Sequence, residues 1–171
     1  MTRFAKIISG IFCICFFGVV AQAKCIQGDG VDFARAFYEK HQDFYYADSA
    51  AIKDFLAPRL LAILEKDHKC SDGEICAIES NPWTSAQDGE IGKPIEFKLS
   101  SSSTNTASVR MSYKLELGAS KKLPQSVELQ LERNAASSCW VVADLITPRD
   151  GSLRDYIEKW HKEYGDAQKQ Q

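Results

Sequence analysis

The 171-residue chain contains no Gly-x-Ser-x-Gly and no His-Glu-x-x-His, the short patterns that would announce an activated serine or a metal-bound water. Histidine occurs only three times, at His41, His68 and His161. No basic block occurs beyond the first few residues, which excludes the electrostatic footprint of a nucleic-acid partner. Lysine and arginine are absent altogether from Ser71 to Gly92. There is no internal repeat and no low-complexity linker. The one long apolar run, Ile7 to Val20, is shorter than the ~20 residues a spanning helix needs.

That run reads as part of a secretory leader. Arg3 and Lys6 precede it and Ala21-Gln22-Ala23 follows it, which is the order of a positive n-region, an apolar h-region and a small-x-small cleavage site. Cleavage after Ala23 leaves residues 24–171, enough for one domain with its own core. Lys24, directly before Cys25, spoils the small-residue pattern that lipoprotein processing needs. Arg3 and Lys6 are two of the 21 basic side chains, so 19 remain against 23 acidic ones. Cys13 and Cys15 leave with the leader, and Cys25, Cys70, Cys76 and Cys139 stay. An even number in an exported chain reads as two disulfides, with three pairings open. The expected pairing is Cys70–Cys76 across a short loop, with Cys25–Cys139 tying the mature N-terminus to a buried strand. The compartment is then periplasmic or secreted, with no membrane contact once the leader is gone.

The strand that Cys139 introduces, Trp140-Val141-Val142-Ala143-Asp144-Leu145-Ile146, is apolar almost throughout and reads as buried on both faces. After it the period changes. Leu153, Tyr156, Ile157, Trp160 and Tyr164 make one helical stripe, and Ser152 with Asp155 resembles a short capping box. Upstream, Gly28-Asp29-Gly30 breaks the chain, and Phe33, Phe37 and Phe44 predict a helix from Val31 to Ala47. Asp48-Ser49 caps a short one, and Pro58 starts another with Leu60, Leu61, Ile63 and Leu64 inward. Ile95, Phe97 and Leu99 alternate with polar residues, as do Val109 to Leu117 and Val127 to Leu131. The prediction is an α+β domain: N-terminal helices on a curved antiparallel meander of about four strands, with a C-terminal helix.

Asn81-Pro82, Gln87-Asp88, Trp140 to Ile146 with its Asp144, and Ser152-Leu153-Arg154 together resemble a family of uncharacterised exported proteins of Gram-negative bacteria. The layout is similar to the cystatin-like or nuclear-transport-factor-2-like cone. The resemblance implies that fold and an extracytoplasmic compartment, and no enzymatic role.

Three constellations compete for function. Asp67, His68, Cys70, Asp72, Glu74, Cys76 and Glu79 cluster, but Cys-x5-Cys beside one histidine is not a zinc spacing, and paired cysteines are not thiolates. No metal or cofactor is therefore expected. Asp88, Asp144 and His41 could converge in a cone-shaped cavity and move protons, which makes a small-ligand or hydrolytic pocket the alternative reading. The leading one is a non-catalytic binding protein of immunity or inhibitor type. Its contact surface would be the acidic segment 70–92, with Trp83 as aromatic anchor and Glu74, Glu79 and Asp88 facing a basic protein partner.

Overall fold

The computed structural model describes residues 25–70, 76–118 and 121–165. Residues 1–24, on which the expected leader falls, lie outside them, as do Asp72 and Glu74. Three helices come first: α1 (Gly30–Lys40), α2 (Ser49–Ile52) and α3 (Pro58–Cys70). Five strands follow, β1 (Glu90–Ser102), β2 (Thr106–Leu117), β3 (Lys121–Arg133), β4 (Trp140–Thr147) and β5 (Gly151–Ser152), and α4 (Leu153–Glu163) comes last. The sheet is antiparallel in the order β1-β2-β3-β4-β5. The α+β architecture with a C-terminal helix agrees with the sequence pattern. The fifth strand is only the Gly151-Ser152 pair that turns the chain into α4.

Local chemistry explains where α1 begins and ends. The Asp29 carboxylate accepts from Val31 N at 2.8 Å and Asp32 N at 2.9 Å, and Asp32 accepts from Asp29 N in return, so two of the helix's free donors are satisfied. Phe33 and Phe37, one turn apart, are fully buried with Ala34 and Tyr38 beside them. The helix stops at Lys40 rather than Ala47. Residues 41–47 turn instead, with Phe44 N donating to His41 O and Tyr46 N to Asp43 O. The turn still delivers Phe44 to the core, 5.5 Å from the Phe37 ring. The aromatic spacing therefore imitated a helix that the backbone does not make.

The sheet's inner rows supply the floor of the core. Val109, Met111, Tyr113 and Leu115 of β2 and Val127, Leu129 and Leu131 of β3 are all buried, in register opposite one another or with Ala107, Gln125 and Leu123. β4 is buried along most of its length, as its nearly continuous apolar run implied. Both cysteine pairings are present, Cys25–Cys139 with Cα atoms 5.5 Å apart and Cys70–Cys76 at 6.0 Å.

The two sides of the sheet end differently. At β4 the backbone is partly covered: Ala57 N donates to Val142 O at 2.8 Å and Val142 N to Phe55 O at 2.9 Å. β1 has no further strand beside it among the described residues. β3 is also open before Glu128, where β4 begins to pair. That opening carries Lys121, Lys122 and Pro124, the residues that discourage strand addition.

Candidate functional site

β1 and α1 meet at Phe97 but leave space beside that contact. Between them runs a cleft of about 960 Å³, with Tyr38, Ile91, Ile95 and Phe97 as its apolar part. Arg35, Glu39, Gln42, Glu90 and Lys93 are among its polar residues. The chain reaches this cleft through Gly89, whose φ of +113° favours glycine. Arg35 lies over the Phe97 ring at 5.2 Å, and Tyr38 meets the same ring at 6.1 Å. Burial raises the Tyr38 phenol above its ordinary 10.0, so at neutral pH it is an uncharged group and not a nucleophile.

The segment before β1 forms the end wall of the cleft through Asn81 and Thr84. Trp83 anchors that wall from behind. Its side chain is 1 % exposed, packs edge-on against Tyr38 at 5.1 Å and Phe44 at 5.7 Å, and donates from Nε1 to Gln42 O at 2.8 Å. Tyr113 donates its hydroxyl to Trp83 O. The expectation of Trp83 as an aromatic anchor for a partner is therefore corrected: a ring surrounded by its own core offers no face to another protein. Asp88 is exposed, immediately before Gly89 and Glu90 at the cleft. Glu79 is exposed elsewhere, beside a small depression shared with Pro82, Thr147, Asp150 and Tyr156.

The three residues considered for proton transfer occupy separate places. His41 leaves the end of α1 against the Phe55 ring at 4.5 Å, and burial, then the neighbouring Lys40 charge, lowers its pKa from 6.5. Asp144 is 4 % exposed and organises the start of α4. It accepts from Leu145 N at 2.8 Å, Arg154 N at 3.1 Å and Ser152 Oγ at 2.5 Å. Ser152 in turn accepts from Asp155 N at 3.0 Å, while its own backbone pairs with Ile146. Asp144 and Ser152 together do what the Ser152–Asp155 box was expected to do. Asp88 stands at the cleft mouth, distant in role from both.

One buried polar pair was missed in the sequence. Asp67 accepts from Ala77 N at 3.0 Å and Ile78 N at 3.4 Å, and its Oδ1 lies 2.9 Å from His161 Nε2 with both side chains about 5 % exposed. His161 lies in the last turn of α4 and is buried, which sets its ring against the α3 carboxylate at ion-pair distance. Such burial shuts the pair away from substrate, so its part is structural. His68 is half-buried with Nε2 2.5 Å from Tyr45 O. Among the described residues no group of three or more His, Cys, Asp or Glu is placed to hold a metal ion. Nor, among them, is any helix long and apolar enough to cross a membrane.

Compared with known proteins, the chain matches no family model, no curated protein and no solved structure. What can be said of its action rests on the cleft and on the uncovered edge of β1.

Proposed function

We propose that this is a non-catalytic binding protein of the periplasm, acting on a protein partner that docks across the α1–β1 cleft, in the manner of an immunity protein or inhibitor. The observation that carries this reading is the cleft itself, an apolar floor with a polar margin lying along an open strand edge. The apolar floor of Tyr38, Ile95 and Phe97 offers a partner buried contact, and the charged margin offers selectivity. The buried acids and the buried histidine support the non-catalytic part, because Asp67, Asp144 and His161 are committed to holding helices in place. The two disulfides support an oxidising compartment, and the leader read from residues 1–23 belongs to the same proposal. So does the cone-like relationship of helices to sheet.

The cleft alters one detail of the partner. Arg35 and Lys93 balance Glu39 and Glu90 along it, so a uniformly basic partner is not what this surface selects. Asp88 and Glu90 form an acidic lip at one end only, and a basic side chain belongs there. A second reading, a small ligand in the cleft, is favoured by its volume, which falls in the ~300–1,000 Å³ range of small-molecule sites.

A photo-crosslinking amino acid placed at Lys93, at Asp88 and, as a control, at Lys159 on α4 tests the main reading in cells that export the protein. Heavier protein adducts at Lys93 and Asp88 alone support it. Equal adducts at Lys159, or none at the cleft, would sink it.

A further inference from the structure

The open edge of β1 has a property that the open half of β3 lacks. Its central residues read Ile95-Glu96-Phe97-Lys98-Leu99, a stretch whose character is the same in either direction except that acid and base change places. Antiparallel pairing of this strand with a second copy of itself, centred on Phe97, sets each Glu96 opposite Lys98 of the other copy. The same register sets each Ile95 opposite Leu99. Leu99 lies opposite Val109 on the helix-facing side of the sheet, yet is 51 % exposed. It is a large apolar side chain on the inner face with no helix over it.

We infer that two copies of this chain pair through β1, forming one continuous antiparallel sheet about a two-fold axis at Phe97. Cross-strand pairs are the stabilising unit of such an edge, and a C2 contact of this kind must be self-complementary. Glu96 and Lys98 already touch within one chain at 2.9 Å and remain well exposed. Pairing makes them part of a four-residue network of alternating sign. Pro94 and Lys93 blunt the first part of the strand, and the self-complementary stretch starts directly after them. The β3 opening is different: Lys121 and Lys122 next to Pro124 give a self-pairing strand no acid to meet.

The consequence reaches the cleft. A two-fold axis perpendicular to the sheet keeps both α1 helices on one face, so the two clefts meet along the shared edge and become a single, longer one. The pairing itself stands without any partner; only the joined cleft rests on the function proposed above.

Sedimentation equilibrium of the full mature chain across the micromolar range tests it, with three variants. Wild type is expected to dimerise. Lys98→Glu puts like charges opposite each other twice and should weaken the dimer about tenfold. Adding Glu96→Lys to that variant restores opposite charges and should restore the dimer. Leu99→Asp, at a half-exposed position, should give a folded monomer whose melting temperature no longer depends on protein concentration. A monomeric wild type overturns the pairing, as does a dimer indifferent to Lys98→Glu or one not rescued by the charge swap. A dimer that obeys the swap while Lys93 crosslinks only to its own chain leaves the pairing intact and removes the partner reading. A monomer crosslinked to a partner does the reverse.

Discussion

Trp83→Ala separates a core role from a contact role for the segment that walls the cleft. The ring is almost wholly buried among Tyr38, Phe44 and the sheet, and truncating a large buried aromatic costs about 3–5 kcal/mol through lost burial and the cavity left behind. The lost Nε1 bond to Gln42 O adds less, because Gln42 is exposed and its carbonyl can turn to water. Domains of this kind hold roughly 5–15 kcal/mol in total, so the variant should retain a fold with a large fraction of its margin gone. At about 2–4 °C per kcal/mol for a chain of this size, the melting temperature should fall by on the order of 10 °C. Urea denaturation followed by circular dichroism gives the midpoint and the slope separately, and only the midpoint should move. Trp83→Phe, which keeps most of the ring but not the donor, should cost about 1–2 kcal/mol. A loss under about 1 kcal/mol for Trp83→Ala would refute the assignment, since that figure belongs to exposed side chains.

The buried Asp144 gives a second test. Asp144→Ala strips Ser152 Oγ, Leu145 N and Arg154 N of their shared acceptor and should cost about 3 kcal/mol in the same urea assay, with Asp144→Asn recovering part because one acceptor oxygen remains. His41 should titrate below 6.5 by nuclear magnetic resonance, as burial and then Lys40 dictate; a midpoint at or above 6.5 contradicts the packing against Phe55. With the folded pKa lowered, the unfolded state takes the proton more readily, so this contribution to stability is complete above about 6.5 and declines as pH falls towards the folded value. His41→Gln should flatten that acid-side slope. Removing Cys25–Cys139, which spans 114 residues, should cost about 5 kcal/mol in the chain-entropy treatment against about 2 kcal/mol for Cys70–Cys76; equal losses on thermal melting would show that chain entropy is not what these bridges contribute.

Much of the architecture could be read from period and punctuation. The alternation in β2 and β3 and the nearly continuous apolar run of β4 each correspond to a strand, because burial on one face or both writes itself directly into sequence. The boundaries were less legible. Phe44 sits seven residues after Phe37, a helical interval, but a turn at residues 41–47 achieves the same contact, and spacing alone cannot tell the two apart. β1 begins at Glu90, earlier than its alternation suggests, because the register shifts between Gly92 and Glu96 and breaks the period there. The burial of Trp83 was hidden by the irregular sequence around it, since its partners Tyr38, Phe44 and Tyr113 come from distant segments. Asp67 and His161 are 94 positions apart in the chain numbering, and no local pattern announces such a pair. The cleft was invisible for the same reason: it lies between α1 and β1, and neither element's sequence says how closely they pack.

The proposed binding surface is the α1–β1 cleft. Arg35→Glu changes it at one exposed position, with crosslinking yield at Lys93 and melting temperature measured on the same preparation. Arg35 is exposed and rests over Phe97, a contact worth about 0.5–1 kcal/mol, so the fold should be little disturbed. The expected result is a melting temperature within a few degrees of wild type and a partner adduct reduced about tenfold, the effect of losing a single contact of hot-spot grade. An unchanged adduct in a protein that melts normally would contradict the claim.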